Sequence, residues 1–235
     1  MLTIRRNADR FYAERDWLKS RFTFSFGPFQ DPAHNGFRAL KVLNEDQVAP
    51  GKGFGPHSHR DMEIITYVLE GRLAHRDSMG ERHTLGANEI QAMSAGDGIV
   101  HSEFNGSETE HAHSIQIWIE PRSEDLRPSY RQFAFTPAEK RGRLRLLAGP
   151  EPAGPADMAV INQDVRMYVT ELGDGEAVSH RVGAGRHAWA QVVRGSITLN
   201  GVVLEEGDGA AVSDEPELAI TGREGAGEVL LFDLA

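Results

Sequence analysis

From Phe22 to Leu234 the chain returns to one pattern, a short run of alternating apolar and polar side chains closed off by Gly, Pro, Asn or Asp. "FTFSF", "RALKVL", "EIITYVLEG", "HSIQIWIE", "MYVTEL", "AWAQVVRGSITLNG" and "EVLLFDL" all show it. A period of two places one side of each run toward a core and the other toward water, which is the signature of a β-strand. Many short strands with turn signals between them pack as an antiparallel sandwich or barrel. The expected fold class is therefore all-β, with two antiparallel barrels and short helical segments, of which Pro137–Arg141 is the clearest. "DSMG" at 77–80 and "LNG" at 199–201 read as hairpin turns.

The chain also repeats itself. "YVLEGRLAHRDSMGERHTLGANEI" at 67–90 and "QVVRGSITLNGVVLEEGDGA" at 191–210 share a strand, a Gly turn, a second strand, a hairpin and a further Gly. The second copy has the shorter hairpin, since the glycines stand at 71 and 86 in the first and at 195 and 207 in the second. "LAGPEPAGPADM" at 147–158 reads as a linker. Two barrels of related plan are expected, over residues 1–145 and 146–235.

Composition narrows the function classes. With 40% hydrophobic residues the 235-residue chain has enough apolar material for a substantial core. Lys and Arg number 25 and Asp and Glu 35, a net charge of −10 spread along the sequence. That balance disfavours nucleic acid or an anionic membrane as partner. The absence of cysteine excludes disulfides, zinc fingers, iron–sulfur ligation and thiol catalysis. "MLTIRRNADRFYAERDWLKS" has no apolar leader segment and no run is long enough to span a membrane, so the expectation is a soluble, cytoplasmic protein.

Two histidine motifs carry the chemistry. "GPHSHRDMEIITYVLEG" sets His57 and His59 at i and i+2 at the mouth of an apolar strand, so both rings project to one side. "MSAGDGIVHSEFN" sets His101 and Glu103 in the same relation after a Gly-rich turn. Solvated imidazoles would explain one such pair. If the strands adjoin, however, three nitrogens and one hard oxygen converge, a donor set for Fe(II), Mn, Co, Ni, Cu or Zn rather than Ca or Mg. In an octahedral ion two positions stay open for exogenous ligands, whereas a closed tetrahedral zinc would be structural. His111 and His113 form a further i, i+2 pair but read first as part of a sheet strand. His75 and His83 flank the "DSMG" hairpin and are expected to be exposed. Phe22, Phe24 and Phe26 share a strand face and are expected to pack in the core rather than line an aromatic-substrate pocket.

The two motifs, with "FTFSF", "DPAHNGFRALKVLNEDQVAPGKGF", "HRDSMG" and "HSIQIWI", resemble the pirin family of the cupin superfamily over residues 2–120, and more loosely beyond as a second cupin barrel. The resemblance implies a bicupin of jelly-roll type with one mononuclear metal in the N-terminal barrel, held by His57, His59, His101 and Glu103. Fe(II) is the favoured ion, with Zn, Cu, Co, Ni or Mn as alternatives. Bacterial members of this kind act as quercetin 2,3-dioxygenases, so the resemblance implies a ring-cleaving dioxygenase with a flavonol and dioxygen as its partners and Glu103 as ligand and base. Eukaryotic pirins are described as iron-dependent transcriptional cofactors, which leaves a non-catalytic interaction or regulatory role, or another cupin substrate, as alternatives. Cupins commonly use a Glu soon after the His-x-His pair, and Glu63 is so placed. Seven residues separate it from Gly71 instead of six, which implies a bulge or shifted register and favours Glu103 as the ligand. In the second copy His187 takes the place of Glu63 and His180 lies near the His57 position, with no counterpart of "HSE", so that barrel is expected to be metal-free. Because the duplication supplies both barrels in one chain, a monomer is expected. Imidazole ligands must be neutral, so metal binding is expected to weaken below about pH 6.

Overall fold

The structure, a computed structural model, describes residues 1–151 and 158–235; residues 152–157 of the expected linker lie outside the described residues. Antiparallel strands account for nearly all of its regular structure, with one short α-helix, Pro137–Lys140, where helix was expected. Thr136 caps that helix reciprocally with Glu139. Among the described residues no helix is long and apolar enough to cross a membrane.

The chain divides into two compact units. The first comprises Phe11–Phe135 with Ala159–Gln163. Its larger sheet runs, in order, Ser129–Ala134, Glu89–Ser94, Glu63–Glu70, Ala112–Ile119, Leu40–Val48, Leu18–Phe22 and Phe11–Arg15. Its smaller sheet runs Gly53–His59, Ile99–Asn105, Arg72–Asp77 and Arg82–Gly86. The strand Leu18–Phe22 ends at Phe22, so "FTFSF" is strand only in part.

The interior of this unit is layered, because inward side chains recur every second residue. Ile64, Met93 and Ile99 form one apolar layer with Trp118 packed on it. Val68, Leu73, Leu85 and Ala112 form another. Between them come Thr66, Gln91, His75, His101 and Glu103, all buried, with the partly buried Gln116.

The second unit comprises Met1–Arg10, Thr136–Met158 and Asp164–Ala235. Leu2–Arg5 pairs with Gly209–Ser213, so the first strand of the chain belongs here and not with the contiguous block 1–145. From there the sheet continues through His187–Arg194, Ala226–Leu234, Val165–Gly173 and Arg145–Gly149. A four-stranded sheet runs Ala177–Arg181, Glu217–Gly222, Ser196–Leu199 and Val202–Glu205. The expected hairpin at 199–201 closes through Asn200 and Gly201, both at positive φ (46° and 81°), as a two-residue turn between paired Leu199 and Val202.

Candidate metal centre

Gly53–His59 and Ile99–Asn105 pair antiparallel, with His57 opposite His101 and His59 opposite Ile99. The register then slips, since Glu103 lies opposite Phe54. Gly55 and Pro56 thus face the single residue Ser102 in a bulge, where a proline without an N–H does no harm to the ladder. Gly53 permits the close approach beyond the bulge: a Cβ there would stand 2.2 Å from the carbonyl oxygen of Glu103.

The result is a cluster of imidazoles. Ring centroids are 4.8 Å apart for His57 and His59, 4.4 Å for His57 and His101, and 4.8 Å for His59 and His101. One donor nitrogen from each lies within 4.8 Å of the others, as a shared ion requires. His57 Nδ1 lies 2.9 Å from the carbonyl oxygen of Gly55, which leaves Nε2 as its ligand atom. His101 is 2% exposed, and neither of its ring nitrogens has a hydrogen-bond partner. An orphaned buried polar atom costs about 1–3 kcal/mol, and a bound cation removes that cost. Burial, aided by the neighbouring imidazoles, pushes His101 down to about 3 and His59 down to about 4. Both are therefore neutral donors at physiological pH, and the low values move their protonation well below the expected pH 6. The donor set fits a first-row divalent ion.

Glu103 is 6% exposed and reaches across the interior to the facing sheet. Its Oε1 accepts from Gln91 Nε2 at 2.9 Å and Thr66 Oγ1 at 3.3 Å, and its Oε2 from Gln116 Nε2 at 3.1 Å. Burial raises its carboxyl to about 7 against these donors. Of the four residues singled out in the sequence, the structure gathers the three histidines into one group, while Glu103 belongs to a second group with His101 and His75. Glu63 lies on the larger sheet, where Ser94 Oγ (2.9 Å) and Asn162 Nδ2 (3.0 Å) donate to its Oε1. The expected irregularity before Gly71 is present: the pairing steps from His113–Glu70 to Ser114–Val68 and leaves Leu69 as the extra residue.

His75 is not exposed as expected. At 3% exposure it lies on the interior face between Leu73 and Asp77, because the hairpin begins only after Asp77. His83, in contrast, is partly exposed, stacking on Tyr130 and lying 2.7 Å from Glu81. His113 lies 3.0 Å from Glu45, His180 2.8 Å from Asp233 and His187 2.7 Å from Ser213 Oγ. Phe24 is buried, whereas Phe22 and Phe26 join an aromatic chain that passes through Trp118 to His59. Sequence reasoning missed Thr66, Gln91, Gln116, Asp77 and Trp118. The available signal was a polar residue in phase with buried neighbours, as Gln116 is within "SIQIWI".

Known proteins match the chain over both units. The family model described as Pirin covers residues 4–119, and that described as the quercetinase C-terminal cupin domain covers residues 146–234. The chain is 42% identical over 234 residues to the quercetin 2,3-dioxygenase of Escherichia coli, covering 100% of this chain and 99% of that protein. It is 39% identical to a pirin-like protein of Caulobacter vibrioides, covering 95% of each. The crystal structure of the E. coli bacterial pirin YhhW in complex with nickel(II) superposes with a TM-score of 0.93 at 42% identity, covering 100% of this chain and 99% of that one. With one family model spanning its histidine motifs, another its C-terminal unit, and relatives matched along their whole length, the chain belongs to the pirin family of bicupins.

Proposed function

We propose that the chain is a metal-dependent dioxygenase that cleaves the flavonol quercetin with dioxygen to a depside and carbon monoxide. The observation that carries this reading is the group of three imidazoles closed by the partnerless, buried His101, in a chain 42% identical along its length to a quercetin 2,3-dioxygenase. His57, His59 and His101 would hold the ion with Glu103, and Fe(II) is the favoured occupant, with Ni(II) made plausible by the related complex. The ion supplies Lewis acidity, lowering the pKa of a bound hydroxyl.

The protein residues do the rest. Burial keeps His59 and His101 unprotonated and available as donors. Glu103, its basicity raised by burial, would take the proton of the flavonol 3-hydroxyl. Gln91, Gln116 and Thr66 fix the carboxylate and stabilise its charged form. Trp118 and Phe26 continue an aromatic surface from His59, suited to a flat aromatic substrate. The partners of this reading are a flavonol and dioxygen, acting on a cytoplasmic monomer.

The test is oxygen uptake. Protein reconstituted with Fe(II), Mn, Co, Ni or Cu should bleach quercetin only in the presence of oxygen, consuming one dioxygen and releasing one carbon monoxide per turnover. Flavones without the 3-hydroxyl should react poorly, since they lack the acidic oxygen. No uptake with any of these ions would replace the reading with that of a non-catalytic metal-binding protein.

A further inference from the structure

The reading above leaves one buried imidazole unused. His75 lies directly opposite Glu103 in the pairing of Arg72–Asp77 with Ile99–Asn105, and Asp77 lies opposite His101. Such cross-strand neighbours have Cβ atoms about 4.5–5.5 Å apart. The Nε2 of His75 is 3.2 Å from Asp77 Oδ2. That carboxylate is itself fixed, because its Oδ1 accepts from the backbone N–H of Met79 (2.9 Å) and of Glu81 (3.1 Å). The Nδ1 of His75 is buried without a partner. A proton on Nδ1 would find no acceptor, whereas one on Nε2 is donated to Asp77. The ring therefore carries its proton on Nε2 and a free lone pair on Nδ1. A carboxylate accepting from the far nitrogen is the usual support of a metal-ligating histidine, and one donor atom each from His75, His101 and Glu103 falls within 4.8 Å of the others.

We propose that His75, His101 and Glu103 form a second, inner position for a divalent transition-metal ion, alternative to the outer position of His57, His59, His101 and Glu103 and sharing His101 and Glu103 with it. Each inner ligand other than His101 has its own support: Asp77 for His75, and Gln91, Gln116 and Thr66 for Glu103. Two imidazoles and one carboxylate suit Co(II), Ni(II), Fe(II) or Zn(II) and leave coordination sites open. The inference extends the reading of this centre as a metal site but does not depend on the dioxygenase activity.

The experiment removes the ligands peculiar to the outer position and titrates with Co(II), followed by visible absorption. The His57→Ala/His59→Ala double variant should still bind one Co(II) per chain, with a spectrum distinct from that of the wild type. Adding His75→Ala should abolish that binding, and adding Asp77→Asn instead should weaken it about 10–100-fold. His57 and His59 are only half-buried, so the double variant is expected to fold; a thermal melt checks this, and the Gln pair replaces the Ala pair if it does not. A folded double variant that binds no Co(II), or a triple variant that binds as well as the double, overturns the proposal. Absent oxygen uptake by the wild type would sink the dioxygenase reading alone, since Co(II) binding does not require turnover.

Discussion

The two units use one strand plan to opposite ends. Aligning Gly71 with Gly195 and following the strand pairing sets Ala190 in the place of Thr66, Ala210 in that of Gln91 and Leu231 in that of Gln116. On the smaller sheet, Leu199 stands for His75, Ile220 for Glu103 and Leu218 for His101. In the second unit all six are buried members of one continuous apolar cluster. The polar layer of the first unit is thus a replacement confined to one level of the interior, with apolar layers kept on either side. The pleat makes this possible, since inward residues two apart on a strand share a face but stand at successive levels, which can differ in polarity. His180, at the His57 position, lies 2.8 Å from Asp233, a hydrogen-bonded pair rather than a ligand cluster.

The largest expected effect separates His101 from its counterpart Leu218. His101→Ala removes a ligand of both proposed metal positions and should yield folded protein with no retained metal by elemental analysis. Leu218→Ala should instead cost about 2–5 kcal/mol of stability, measured by urea unfolding, with metal content unaltered in the folded protein. Next comes Glu103→Gln, which removes the proposed proton acceptor and should lower turnover of quercetin by about 10²-fold or more. Glu63→Gln, at a carboxylate held by Ser94 and Asn162, should cost far less; equal losses would return the catalytic role to Glu63.

A third effect is one of pH. In the metal-free protein the Glu103 carboxyl titrates near 7 rather than its ordinary 4.5. Between these values the folded state keeps a proton that the unfolded chain has released, so this stabilising contribution is full below pH 4.5 and lost as pH rises to 7. Replacement by Gln should therefore shift relative stability toward the variant by about 3 kcal/mol across that interval. His59 and His101, depressed to about 4 and 3, act in the opposite sense. Their contribution is present above pH 6.5 and falls as the pH drops toward those values, in wild type and variant alike. A pH-independent difference between the two proteins would show that Glu103 is not held in its protonated form. The smallest effect belongs to the second unit: His187→Ala should leave metal content unchanged and cost about 1 kcal/mol for the lost Ser213 hydrogen bond.

The shared faces of the two histidine motifs were legible because the parity of a strand is local. An i, i+2 pair faces one way wherever the strand goes, so His57 with His59, and His101 with Glu103, declared their shared faces in the sequence. The hairpin at Asn200–Gly201 and the extra residue before Gly71 were legible for the same reason, as turn and register chemistry acts over a few residues. What stayed hidden depends on pairing across the chain. The place of His75 opposite Glu103, and the three donors that Thr66, Gln91 and Gln116 offer to that carboxylate, exist only once several distant strands are in register. Proximity to the "DSMG" turn suggested exposure for His75, but its distance from the turn in phase, not in sequence, decided its burial.

The pairing of Leu2–Arg5 with Gly209–Ser213 also sets an order of events in synthesis. The strand leaves the ribosome about 200 residues before its partner, a delay of roughly 10–40 s at 5–20 residues per second. Once Gln163 is made, before Gly209 follows, the first unit has all its own strands available and can close, while the strand Leu2–Arg5 remains an unpaired arm. The second unit is completed by a segment made long before its partner, so a lesion in Leu2–Arg5 exposes the edge of Gly209–Ser213 to other chains.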